Sequence, residues 1–170
     1  MMRIADTLLP EWDHEVAVTR RVVERVPEDK LDWRPHAKSW TLRQLATHLV
    51  AVPSWMPLVI EKECIDMAPE GGAKTTNTPA GSRDELVQRL DGHAAAARQA
   101  LAGADNATLL APWSLKQAGT PVFTMPRAGV LRGFIFSHMI HHRAQLGVYL
   151  RLLDVPVPSM YGPSADESGG

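Results

Sequence analysis

The sequence is almost without cysteine. Cys64 stands alone among 170 residues, so no disulfide can form within the chain and no cysteine-built metal cluster can be assembled. A reactive thiol needs neighbours that lower its pKa. Nothing beside Cys64 in the sequence clearly does so, and it reads as an inert residue near a helix end. An excess of one charge is missing too. Eighteen Lys and Arg face nineteen Asp and Glu, a formal net charge of −1. That supplies no basic field for a polyanion and argues against nucleic acid as a partner. Long apolar runs are absent as well: none approaches the ~20 residues that cross a bilayer. The opening MMRIADTLLPEWDHE carries charge within its first turns and no signal-peptide core. These absences predict a cytoplasmic protein without a membrane partner.

What is present is ordinary for a soluble globular chain: 45% apolar and 22% charged residues. The length fits a single domain, one large enough to bury roughly 70% of its unfolded surface. We expect that domain over 1–162, with 163–170 as a flexible tail after the proline-rich VPVPSMYGPS. No internal repeat or low-complexity block interrupts it.

Four long helices are predicted. In the first, about 6–26, Leu9, Trp12, Val16, Thr19, Val23 and Val26 recur at three- and four-residue steps. Pro27 stops it. The second starts near Thr41, with Ser39 or Thr41 as cap, and carries Leu45, His48, Leu49, Val52, Trp55, Met56 and Val59. Pro53 and Pro57 fall inside this pattern and should bend or break it. APEGGAKTTNTPAGS, residues 68–82, reads as a flexible loop. The third helix, about 83–102, opens on Ser82 with Glu85 at the capping-box position and closes at Gly103. Trp113, Leu115, Val122 and Phe123 flank a turn containing Gly119, which predicts a small β-hairpin. The fourth helix spans about 127–152. The expected fold is all-α, a four-helix bundle with that hairpin before the last helix.

FSHMIHHRAQLG, residues 136–147, places three imidazoles in an apolar run. On a wheel of about 100° per residue, His142 lies about 40° from His138, His141 about 60° to the other side, and Leu131 and Tyr149 about 20° round. This puts His138 and His142 in the middle of the buried stripe and His141 toward its border. Unpartnered buried imidazoles cost roughly 1–3 kcal/mol each. Spacing alone leaves two readings open: hydrogen-bonded core histidines, or an i, i+4 metal-binding pair. His48, among the apolar residues of the second helix, is the best third ligand. His36 lies in a polar loop, His93 faces either way beside an Ala run, and His14 lies off its helix's stripe. Gln145 and Tyr149 fall on the same side as the pair and suit pocket roles or plain packing. Arg143 points about 140° from His138 and reads as a surface or inter-helix ion pair. Glu15, near the border of the first stripe, is a candidate to orient a ligand histidine. Trp55 and Met56 are either core or the mouth of a pocket.

SWTLRQLATHLV, followed much later by HMIHHRAQLGVYLRLLDVPVPSMYGPS, resembles the DinB/YfiT-like superfamily. The matching pattern is a second-helix histidine, His48, then H-x-x-x-H-R-x-Q at His138, His142, Arg143 and Gln145. KLDWRPHAKSWTL is similar as well, so the likeness runs along nearly the whole chain. The resemblance implies up-down-down-up connectivity, a three-histidine site for one divalent metal at His48, His138 and His142, and a homodimer; imidazole ligands suit Zn, Ni and Fe alike. It implies metal-dependent chemistry on a small-molecule substrate, above all transfer of a low-molecular-weight thiol to an electrophile. A metal-dependent hydrolase and a non-catalytic metal-binding stress or interaction protein are the alternatives. Three neutral imidazoles leave a doubly charged ion with open positions, the layout of a catalytic site. A metal-bound thiolate needs no general base beside it, which favours thiol transfer over hydrolysis.

Overall fold

The computed structural model of the chain describes residues 2–69 and 78–167. Most of the predicted loop 68–82 and the last three residues of the predicted tail lie outside them. Helix α1, Ile4–Val23, buries most of the predicted stripe, Trp12, Thr19 and Val23, with the centre of the buried face shifted toward Glu15 and Val22. Ala5, Trp12, Glu15, Val18, Thr19 and Val22 are buried, whereas Leu9 and Val16 are only half-buried. The face is shifted because Glu15, at the border of the stripe, has a polar partner in the interior, described below.

Helix α2, Leu42–Ala51, begins with a capping box. The Thr41 hydroxyl accepts from Gln44 N and the Gln44 amide oxygen accepts from Thr41 N. Thr41, not Ser39, is therefore the cap. As the prolines required, the segment then breaks. Val52–Ser54 forms a single 3-10 turn around Pro53, and α3, Trp55–Glu61, restarts with Pro57 in its first turn, where a missing donor costs nothing. Helix α4, Arg83–Gly103, is capped by Ser82, which accepts from Glu85 N. The Glu85 carboxylate reaches back one residue further than expected, to Gly81 N. A short helix α5, Asn106–Leu110, capped by Asp105, was not anticipated.

The hairpin is present as β2, Pro112–Gln117, and β3, Thr120–Pro126, antiparallel. Its two turn residues, Ala118 and Gly119, both have positive φ, the conformation that matches strand twist in a two-residue hairpin. A third strand, β1, Cys64–Asp66, pairs parallel to β2. The Asp66 carboxylate accepts from Ala118 N and Gly119 N and so holds the turn. The structure is thus mostly helical with a small three-stranded sheet, rather than all-α. Cys64 lies in that sheet, three residues past the end of α3.

The last helical stretch is not uniform. Helix α6, Arg127–Val130, passes through a π-helical segment, Leu131–Phe136, into α7, Ser137–Leu152. Helices α1 and α2 each pack on both α4 and α7, and α3 packs on α4. The interior between them is filled by Trp12, Leu45, Leu49, Leu90, Phe136 and Leu146, all nearly inaccessible.

Candidate metal centre

The π segment decides how α7 presents its imidazoles. An i→i+5 turn advances the chain by about 82° per residue instead of about 100°. Carried across 131–136, the difference moves Leu131 from about 20° to about 130° from His138 on the wheel. Leu131 and Ile135 then line up with Met139, Leu146 and Leu150, and all five are fully buried. The core face of α7 is centred on these residues. His138 and His142 sit at its margin, not in its middle: His138 is half-buried and His142 is 9% exposed. That margin faces α2, whose contact with α7 brings up His48.

The three imidazoles meet. His48 Nε2 lies 2.9 Å from His138 Nε2, and His142 Nε2 lies 2.8 Å from the same atom. Their ligand atoms all lie within 4.8 Å of one another, and no Asp, Glu or Cys among the described residues joins them. His142 Nδ1 faces the Gln145 amide oxygen at 2.7 Å. Because that oxygen can only accept, Nδ1 carries the proton and Nε2 presents a bare lone pair. His138 Nε2 has one proton at most. If it donates to His142 it has no lone pair left to accept from His48. Three ring nitrogens this close cannot all be satisfied by hydrogen bonds to each other. A cation between them satisfies all three, and nitrogens about 2.0–2.1 Å from a tetrahedral ion stand about 3.3 Å apart, a few tenths wider than seen here. The donor set fits a divalent metal.

Electrostatics agree. Burial, then the neighbouring imidazoles, pushes His48 and His138 from the usual histidine range down to about 4. Burial lowers His142 as well, opposed by its bond to Gln145. All three are neutral at pH 7, the form that binds metal.

Indole rings close the cluster on two sides. Trp40, in the loop before Thr41, lies edge-on to His48 at 5.0 Å and stacks on His142 at 5.7 Å. Trp55 meets His48 at 5.6 Å and His138 at 5.3 Å. Phe134 stacks on Trp55 and meets His138, both at 5.7 Å. Trp55 at a pocket wall was among the expectations. Met56 is wholly buried and belongs to the core. Trp40 and Phe134 went unassigned, although Trp40 directly precedes the cap of the His48 helix and Phe134 stands one turn before His138.

The other candidates go elsewhere. His141 is exposed, with its ring against that of His142. His93 Nδ1 contacts Val50 O at 2.8 Å, His36 Nδ1 accepts from Lys38 N, and the exposed His14 lies against Tyr161. Glu15 orients no histidine. Its carboxylate pairs with Arg143 at 2.6 Å, with the two side chains 4% and 1% exposed. Arg143 is therefore an inter-helix ion pair in the core and not at the surface, since it falls on the true buried face of α7. Tyr149 donates to Trp40 O and packs on Trp33.

These features define a class: a mostly helical domain with a three-histidine cluster, able to hold a metal ion, shared between its second and last long helical segments. The sequence profile of the DinB family matches residues 1–169, and the chain belongs to that family. YrdA, an uncharacterised protein of Bacillus subtilis strain 168, is 23% identical over 170 residues, spanning 98% of this chain and 93% of that protein. Among solved structures, a DinB-like protein from Bacillus cereus ATCC 10987 superimposes with a TM-score of 0.71 at 20% identity, covering 94% of this chain and 98% of the other. A member of the same family from Exiguobacterium sibiricum 255-15 gives 0.65 at 23% identity, covering 91% and 95%. These structural likenesses establish the shared fold. No helix among the described residues is long and apolar enough to cross a membrane.

Proposed function

We propose that His48, His138 and His142 hold one divalent metal ion, Zn, Ni or Fe, and that the protein is a metal-dependent transferase acting on a low-molecular-weight thiol and a small electrophile. The observation that carries this reading is the convergence of three Nε2 atoms with no carboxylate or thiol among the described residues in the cluster. An ion on three neutral ligands keeps its double charge and open positions, and so supplies Lewis acidity that favours a bound thiol as thiolate. The chain's part is to hold the ligands ready. Gln145 fixes the His142 tautomer, burial keeps the imidazoles unprotonated, and Trp40 and Trp55 cover the cluster against water. Among the described residues the cluster contains no carboxylate to act as general base toward water, which supports thiol transfer over hydrolysis.

Metal analysis of protein purified without a histidine tag tests the site. One equivalent is expected in the wild type and in His141→Ala and His93→Ala, and a sharp loss in His48→Ala, His138→Ala and His142→Ala. Equal loss from His141→Ala would show that the wrong ligands have been chosen. Turnover of electrophiles with a thiol cosubstrate then tests the reaction, and metal-loaded protein inert in that screen would favour the non-catalytic reading. We further read α1, α2 with α3, α4 and α7 as a four-helix bundle, supported by their pairwise packing, and the assembly as a homodimer. A light-scattering mass of one chain at micromolar concentration would contradict the latter.

A further inference from the structure

The surroundings of the cluster are as uniform as the cluster itself. Every ring in contact with the three imidazoles, apart from His141, is an apolar aromatic: Trp40, Trp55 and Phe134. None of the ion pairs among the described residues involves these rings or the three histidines.

Trp40 is not a loose surface residue, although it is 45% exposed. Its carbonyl accepts from the Tyr149 hydroxyl at 3.2 Å, Trp33 packs edge-on against Tyr149, and the next residue is locked into the capping box of α2. The loop is therefore pinned from α7, on the same helix that carries His138 and His142. Trp55 is held from the other side by stacking on Phe134 at 5.7 Å. Two indoles anchored to different elements flank the three imidazoles, and Trp40 remains 45% exposed.

We propose that Trp40 and Trp55 determine specificity, and that the site selects a ligand with one anionic donor atom on a flat, apolar, aromatic body over a polar aliphatic one. This rests on the metal reading above. The donor atom follows from charge: three neutral imidazoles leave a metal's charge uncompensated, and a single anion reduces it. The body follows from the walls. Aromatic rings prefer offset or edge-on aromatic partners, a preference worth roughly three- to tenfold in affinity per ring beyond the area covered. A polar aliphatic body would gain nothing there and would lose its water. Tyr149, which donates to the Trp40 backbone carbonyl, is a positioning residue.

The test loads the full chain with Co(II) and follows its visible spectrum during titration with two thiols of similar acidity, phenylmethanethiol and 2-mercaptoethanol. Wild-type protein is expected to bind phenylmethanethiol at least tenfold more tightly. Trp40→Ala should keep one equivalent of cobalt and its helical circular dichroism, yet lose most of that ratio, and Trp40→Phe should restore much of it. Trp55→Ala should also reduce the ratio, and Tyr149→Phe by less than either. A cobalt-loaded wild type that binds both thiols equally overturns the inference and leaves the metal reading standing. So does a ratio unchanged in Trp40→Ala. Failure of the wild type to take up cobalt overturns the metal reading, and this inference with it.

Discussion

Gln145 accepts the Nδ1 proton of His142, and that one contact determines which ring nitrogen faces His48 and His138. Gln145 is exposed, so Gln145→Leu should leave the fold intact while freeing the ring to change tautomer. Losses of a supporting contact of this kind cost about 10–100-fold in metal affinity. We expect about tenfold, measured by competition with a chelator, and an unchanged affinity would mean that Gln145 does not set the tautomer. His48 and His138 themselves make stability depend on pH. In the unfolded chain an imidazole takes up its proton near ~6.5, whereas in the folded protein these two resist until about 4. Between those values the unfolded state binds more protons, so their contribution is fully present above ~6.5 and is lost as pH falls toward 4. Metal-free protein should melt at a constant temperature from pH 8 to 7 and progressively lower below ~6.5. His48→Ala should flatten part of that decline, and parallel curves for the two proteins would contradict the assignment. Proton competition with a bound metal, expected near ~6.5 for free imidazoles, shifts at these two positions toward pH 4 for the same reason.

At the scale of elements, three junctions place the site. The 3-10 turn at Pro53 redirects the chain after α2, so that Trp55 starts a new helix beside His48 and His138. The π segment sets the azimuth of α7. Arg127, 8% exposed, ties the sheet to α3: its guanidinium donates to Val59 O, Lys62 O and Pro112 O. The first two carbonyls lie at the C-terminal end of α3, where a cation is favoured. Arg127→Met should strip three buried or part-buried carbonyls of their donor and destabilise the protein by about 3 kcal/mol. Urea denaturation would show it as a lower midpoint with little change in slope. A change under 1 kcal/mol would mean that water replaces the guanidinium.

Across the whole molecule, one buried polar link joins distant parts of the chain. Arg143 on α7 pairs with Glu15 on α1 and donates to Glu15 O and the Thr19 hydroxyl. Tyr161, from the segment after α7, bridges the pair, donating to Glu15 Oε1 and accepting from Arg143 Nη2, each at 2.7 Å. The same segment is held by Arg21 on Ser159 O and by Arg25 on Glu167. Removing one member of a buried pair strands the other charge, which costs about 3–5 kcal/mol. Arg143→Met should fall in that range by denaturant unfolding. The double variant Glu15→Leu with Arg143→Met should lose markedly less than the sum of the single changes, because no charge is left alone. Additive losses would show that the two residues act independently.

The local code of the chain was legible because its signals are short-range. Thr41 and Ser82 mark helix starts by the hydroxyl they offer, Pro53 breaks a helix by the donor it lacks, and Gly119 marks a tight turn by the φ it tolerates. The three ligand candidates were legible too, through the i, i+4 spacing of His138 and His142, the apolar setting of His48, and the family pattern. Three things needed the tertiary structure. The π segment cannot be seen in a period count that assumes one rotation per residue, and it shifts Leu131 by about 110° on the wheel, onto the buried face of Met139, Leu146 and Leu150 and away from the histidines. Glu15 read as a border residue and Arg143 as a surface or inter-helix ion pair, because burial of either alone is unfavourable; only their meeting across two helices decides that both are interior. Strand β1 and the Trp40 wall depend on partners tens of residues away: Ser114 to Lys116 for one, His142 and Tyr149 for the other. Sequence determines what each residue can offer, and the packing of distant segments decides which offers are met.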